Sequence, residues 1–278
     1  MRLSRSKKLM LLGVALLTVG LAGRAAAETT PATRTEAKPV VAAPSATTAP
    51  AKPKVKPRPS PSPSPKQTAA KVSRKTRSGP AGSRITTGSK GVALTFDDGP
   101  DPAQTPHILK LLAKYHVHAT FCLVGRNVQK HPDLVRRIVA GGHTLCNHTW
   151  NHDLKLGKKP AAKIKADLAR TNAEIRKAVP NAKIKYFRAP GGNFTPGVVA
   201  VAKSMGMTSL YWKVDPRDWS HPKGETHAQH RARVITRVER NTRAGAIVLS
   251  HDYAQPDTIA AYRTLLPWLK KRFRLTGL

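Results

Sequence analysis

Between Gly91 and Leu278, short apolar runs alternate with longer stretches of helical periodicity, and this alternation constrains the fold more than any other feature of the chain. The runs VALTF, ATFCLV, HTLCN, IKYFRA, MTSLYWKV, AIVLS and RFRLTGL read as strands. The stretches TPHILKLLAKY, HPDLVRRIVAGG, AAKIKADLARTNAEIRKAV, TPGVVAVAKSMG, HRARVITRVERNT and DTIAAYRTLLPWLKKR read as helices. Strands joined by helices need right-handed crossovers and a mostly parallel sheet, open or closed into a barrel. In either form, reactive side chains gather at the C-terminal ends of the strands.

The chain upstream of Gly91 is of a different kind. MRLSRSKK is a basic leader, LMLLGVALLTVGLAG an apolar segment, and AAAE offers small residues for cleavage after Ala27. Residues 1–27 therefore read as a signal peptide, with an uncleaved membrane anchor as the alternative. No Cys lies near the cleavage site, which argues against a lipoprotein. Residues 28–90, including PRPSPSPSPK, are rich in Ala, Pro, Lys, Thr and Ser and too poor in large apolar side chains to build a core. They read as a disordered, extended basic linker.

The formal net charge is +34, from 49 Lys and Arg against 15 Asp and Glu. Residues 1–90 contribute 18 basic and 2 acidic side chains, and residues 91–278 contribute 31 and 13, so the excess is spread over both parts. A polyanion is the natural partner. Export makes nucleic acid a poor one and favours an anionic cell surface, so the protein is expected to be secreted or held at the cell wall.

Against this basic background, two adjacent acids, Asp97 and Asp98, close the first apolar run in TFDDGP. Neighbouring carboxylates repel unless a cation or hydrogen-bond donors separate their roles. The third run ends in HTWNH, placing His148 and His152 four residues apart, a spacing that sets two imidazoles on one side of a turn. Two His and one Asp make a three-ligand site with a position left for water. The fourth run ends in RAPGG, where the Arg188 fork can fix one carboxylate while a metal takes the other. The glycines Gly191 and Gly192 let backbone N–H groups approach a substrate. The fifth run ends in DPRDW, with Asp215, Asp218 and Trp219, and the sixth in LSHD, with His251.

These five motifs, in this order, resemble those of the polysaccharide deacetylases, the NodB-homology domains of carbohydrate esterase family 4. The likeness runs from Gly91 to Leu278. It implies a distorted (β/α) barrel of mostly parallel strands and a metal-dependent hydrolase. By this resemblance Asp97 is the general base, oriented by Arg188, and Asp98, His148 and His152 hold a divalent metal. The His and carboxylate donors suit zinc. His251 is the general acid and Asp218 its partner; Gly191 supplies an oxyanion N–H, and Trp219 and Leu249 either line the acetyl pocket or pack as plain core. Thr149 contributes to the loop presenting the two His, Trp150 offers a sugar-stacking face, and Asp215 is open between a role in the site and a structural one, the structural one favoured. One departure stands out: Gly191 follows Pro190 where the family usually has an aromatic residue, which puts the aromatic wall of the groove in doubt.

The expected substrate is an N-acetylated amino-sugar polymer, peptidoglycan or a chitin-type oligosaccharide. The alternatives are an O-deacetylase acting on acetylated xylan and a non-catalytic wall-binding protein on the same scaffold. The latter would have lost at least one of Asp97, Asp98, His148, His152 and His251, and none is lost. Cys122 and Cys146, the only cysteines, fall on neighbouring strands and are expected either to form a disulfide or to pack as two small apolar groups.

Overall fold

All seven apolar runs form strands in the computed structural model, which describes residues 78–278. The strands are β1 (Val92–Asp97), β2 (Thr120–Leu123), β3 (Thr144–Asn147), β4 (Ile184–Phe187), β5 (Thr208–Ser209), β6 (Ile247–His251) and β7 (Leu275–Thr276). They pair in parallel in the order β5-β4-β3-β2-β1-β6, with β7 on the opening residues of β1. The expected signal peptide and most of the expected linker lie outside the described residues.

The six periodic stretches form helices α1 (Thr105–Lys114), α3 (Pro132–Ala140), α4 (Ala161–Ala178), α5 (Pro196–Ser204), α6 (His227–Asn241) and α7 (Pro256–Arg272). Helix α6 starts on a reciprocal cap: the Thr226 hydroxyl accepts from the Gln229 N–H, and the Gln229 side chain accepts from the Thr226 N–H. No helix among the described residues is long and apolar enough to cross a membrane. A seventh helix, α2 (Gly125–Lys130), was not legible, because GRNVQK is short and offers only Val128 as a large apolar residue.

Period-two alternation sorts the faces of β1. Val92, Leu94 and Phe96 join the main core beneath the helices, with Phe121, Tyr262 and Leu265. Each such side chain contributes roughly 1.5–3 kcal/mol when fully buried. Ala93, on the opposite face, packs with Cys122, Cys146, Leu210 and Ile247 in a small separate cluster inside the curl of the sheet. Thr95 and Asp97 share that inner face. Cys122 and Cys146 are register partners on β2 and β3, with Cα atoms 4.2 Å apart, and they are bonded as a disulfide.

The sheet curls into a half-barrel, and what spans its gap corrects the expected domain boundary. The linker does not extend to residue 90. Arg84 pairs with Leu210 beyond β5, and Thr86 pairs with Ala246 just before β6. The Arg84 N–H donates to the Ser209 carbonyl at 2.8 Å, the Tyr211 N–H donates to the Arg84 carbonyl at 2.7 Å, and Ser83 and Ile85 are buried. Composition could not show this, because backbone pairing holds the segment and Ile85 is its only large apolar residue. The strand expected over MTSLYWKV is likewise shorter. After Ser209 the chain turns from β4 to these isolated partners, and Val214 bridges directly to Val248 of β6.

A chain beginning at Ser78 is therefore expected to melt with the full-length protein. A chain beginning at Gly91 loses Ile85 burial and the strap's hydrogen bonds, and its Tm falls by roughly 5 °C or more. Circular-dichroism melts of the two truncations check this.

Candidate active site

The C-terminal end of β1 brings Asp97 into register with His251 at the end of β6. Asp97 is buried, and its Oδ1 accepts from Arg188 Nη1 at 2.7 Å. Arg188 follows β4 and is wholly enclosed. Its Nη1 also donates to Thr95 Oγ1 (2.8 Å), its Nε to the Leu210 carbonyl (3.3 Å) and its Nη2 to the Tyr211 carbonyl (3.2 Å). A buried guanidinium must be paired and hydrogen-bonded, and here that requirement fixes one carboxylate of the adjacent acids in place.

The other carboxylate turns elsewhere. Asp98 has a positive φ of 75°, a left-handed backbone, and its carboxylate sits nearer the imidazoles than that of Asp97, whose Oδ2 is 3.7 Å from His148 Nε2. Asp98 Oδ1 lies 3.3 Å from Nε2 of His148 and 3.3 Å from Nε2 of His152. This oxygen is buried and accepts no hydrogen bond. The three ligand-type atoms lie within 4.8 Å of one another. His148 Nδ1 faces the Arg188 carbonyl at 2.8 Å, so it carries the proton and Nε2 presents its lone pair. Three electron-pair donors converging on one point, one of them an orphaned buried carboxylate oxygen, fit a divalent cation.

The electrostatics agree. Burial pushes the Asp98 carboxyl up, but the adjacent His148, with His251 and His152 beyond it, outweighs burial and holds the group well below the usual carboxylate range. His152 also has a positive φ, 59°, as does Thr149 between the two imidazoles, 67°. The Thr149 N–H donates to Asn147 Oδ1 at 2.9 Å and its carbonyl accepts from the Gly125 N–H at 2.9 Å, which sets the loop presenting both imidazoles.

On the opposite side of the cleft, His251 Nδ1 faces Asp218 Oδ1 at 2.9 Å. Asp218 is enclosed, and its Oδ2 accepts from the His251 N–H (2.8 Å) and the Thr258 hydroxyl (2.9 Å). Burial lowers the His251 pKa, but the Asp218 charge and hydrogen bond dominate and push it up to about 10.

A cleft of about 570 Å³ joins these groups. Asp97, Asp98, His148, His152, Gly191, Trp219, Leu249 and His251 all line it, while Arg188 and Asp218 stand behind, holding Asp97 and His251. Every residue expected to do chemistry is thus brought to one place. Trp219 is 46% exposed and forms cleft wall rather than core. Asp215 also lines the cleft, with its Oδ1 accepting from the Arg217 N–H at 2.7 Å, a turn-holding role.

Trp150 is a correction. It is buried against Gly125, with the Arg170 guanidinium 3.6 Å from its ring centroid, and offers no stacking face. The aromatic wall comes instead from Tyr211 and Trp212, stacked with centroids 3.9 Å apart. A Cβ at Gly192 would lie 2.7 Å from Trp212 and 2.8 Å from Tyr211, so only glycine lets this pair close on the turn.

Other contributors were not legible. Asn127 of α2 donates to the Asp98 carbonyl at 2.7 Å. Asp252 is wholly buried beside Gly99, and burial pushes its carboxyl up to about 7. Its place in LSHD was the only available signal.

Fold and site together define an α/β half-barrel with a candidate hydrolytic centre at its strand ends. The family model described as polysaccharide deacetylase matches residues 84–210. A chitooligosaccharide deacetylase from Sinorhizobium fredii is 36% identical over 203 residues, covering 68% of this chain and 90% of that protein. A peptidoglycan-N-acetylglucosamine deacetylase from Bacillus cereus is 37% identical over 187 residues, covering 66% and 83%. Among solved structures, a carbohydrate esterase 4 pseudoenzyme from Bacillus anthracis matches with TM-score 0.61 at 30% identity, covering 68% of this chain and 64% of that one. The chain belongs to the polysaccharide deacetylase family.

Replacing Asp98, His148 or His152 by Ala is expected to remove bound metal and turnover together, since three ligands leave no redundancy. Asp97→Asn keeps the metal while turnover drops by roughly two to four orders of magnitude. Elemental analysis alongside acetate release separates the two outcomes; metal loss in Asp97→Asn would reverse the roles of the two acids.

Proposed function

We propose that this protein is an exported, metal-dependent N-deacetylase acting on amino-sugar polymers, peptidoglycan or chitin-type oligosaccharides. The observation that carries the reading is the division of labour between the adjacent acids. Asp97 is held by Arg188 at 2.7 Å, while Asp98 Oδ1 turns to two imidazole nitrogens, each at 3.3 Å. His251, held from behind by Asp218, lines the same cleft. The relatives support an amide-cleaving reading through what they are named for, removal of acetyl groups from chitooligosaccharide and from peptidoglycan N-acetylglucosamine. A pseudoenzyme stands among the structural neighbours; here the acid pair, the two His and the His251–Asp218 pair are all present and mutually placed.

Asp98, His148 and His152 would hold the cation, zinc by the chemistry of its donors. When bound, a divalent cation polarises an acetyl carbonyl and acidifies the attacking water. Asp97, fixed by Arg188, accepts the proton as that water adds to the carbonyl carbon. The raised pKa keeps His251 doubly protonated near neutrality, its Nδ1 proton bonded to Asp218 and its Nε2 proton available for transfer. As the C–N bond breaks, His251 gives this proton to the departing sugar amine, leaving acetate. Leu249 and Trp219 exclude water around the acetyl methyl, and the Tyr211–Trp212 wall offers a flat face to a pyranose ring.

The leader and the net charge of +34 favour export and retention at an anionic wall. Mass spectrometry of products from peptidoglycan, chitin oligomers and acetylxylan tests the substrate class: loss of acetyl from the first two is expected. Release from acetylxylan alone would establish O-deacetylation instead.

The pH profile tests the acid. His251 works protonated, so activity falls as pH rises through its pKa, and the raised pKa places that fall well above neutrality. Asp218→Asn removes the charge that raises it, so the alkaline limb is expected to move to lower pH by roughly one unit or more. An unmoved limb would show that another group sets it.

A further inference from the structure

We propose that His221, Glu225 and His230 form a second divalent-cation site, outside the catalytic cleft, suited to a zinc-type ion. The three residues each offer a ligand atom within 4.8 Å of the others, and none of them lines the cleft. His230 lies in α6 and is wholly buried. Its Nδ1 faces Asp257 Oδ2 at 3.2 Å, so Nδ1 carries the proton and donates it in a hydrogen bond to the carboxylate, which leaves Nε2 as an acceptor. That Nε2 is enclosed and has no hydrogen-bond partner. A buried nitrogen is costly to leave unpaired, and a carboxylate behind the imidazole with a bare Nε2 in front is how metal-binding histidines are held.

The other two ligands reach this point from the loop before α6. The His221 ring lies 3.8 Å from the His230 ring, centroid to centroid, and its Nε2 is 3.2 Å from Gln255 Oε1, which settles the proton there and leaves Nδ1 free. Glu225 is gripped by Arg233, with Nε at 2.5 Å and Nη2 at 2.8 Å. An ionised carboxylate has about four acceptor positions, so the Arg fork orients it without exhausting it. Asp257 pairs with Arg231 and Glu225 with Arg233, so each of these two guanidinium charges is offset by a carboxylate. Two imidazoles and one carboxylate suit zinc better than calcium or magnesium.

The site has a mechanical use. Asp218 and Trp219 belong to the segment immediately before His221. An ion tying His221 and Glu225 to His230 braces that segment on α6, and with it the acid's partner and one wall of the cleft.

The test uses the full chain, stripped of metal and titrated with zinc alone. Wild-type protein is expected to bind two ions per chain. A His148→Ala/His152→Ala variant is expected to keep one, and zinc raises its Tm. Adding His221→Ala, an exposed position whose loss spares the core, removes that ion and the Tm response. Glu225→Gln, which keeps the side chain's shape, weakens both. No ion in the double variant, or an ion kept after His221→Ala, overturns the proposal. Neither result depends on whether the protein deacetylates anything.

Discussion

The guanidinium of Arg188 is the interaction on which the rest of this site depends. It is the largest fully buried side chain among the described residues, and it contacts β1 through Thr95 and Asp97 and the segment after β5 through the Leu210 and Tyr211 carbonyls. Its own carbonyl meets His148 Nδ1. One residue therefore positions Asp97, the proposed base, with its side chain and orients His148 with its backbone. Removing one partner of a buried ion pair costs about 3–5 kcal/mol, because the other is left uncompensated. Stability and chemistry are coupled at this point, and a substitution here damages both.

The metal-type ligands show the opposite economy. Asp98 and His152, as well as Thr149 between the imidazoles, sit in left-handed backbone that costs of order 1–3 kcal/mol each for a residue with a side chain. The surrounding bonds from Asn127, Asn147 and Gly125 over-determine these turns. The strain brings together groups that would otherwise diverge, and the orphaned Asp98 oxygen adds an electrostatic cost that a bound cation relieves.

How much of this was legible in the sequence follows from what each part rests on. Strands with three or more apolar residues and helices with periodic faces were visible, because burial selects residue types. The acids, imidazoles and Arg were visible because they cluster in order at strand ends. The strap at residues 83–87 was not, since hydrogen bonds between main chains leave no signature in composition. Asn127 was hidden on a helix too short for periodicity, and Trp150 misled because an aromatic next to two ligands looks like a sugar platform but fills the space over Gly125. In the sequence Tyr211 and Trp212 read only as strand residues; the turn at Gly191–Gly192 is what converts them into cleft wall.

The disulfide inside the curl of the sheet has a kinetic meaning. Cys122 and Cys146 are both fully shielded, beneath the Arg188 network and among Ala93, Leu210 and Ile247. Thiol–disulfide exchange needs a thiolate to reach a sulfur atom, and here no approach exists while the strands hold together. A reductant can act only on molecules whose half-barrel has opened. The lifetime of the bridge in a reducing solution is then a clock for opening, and a chain that folds once in an oxidising compartment keeps its cross-link long after the surroundings cease to favour it.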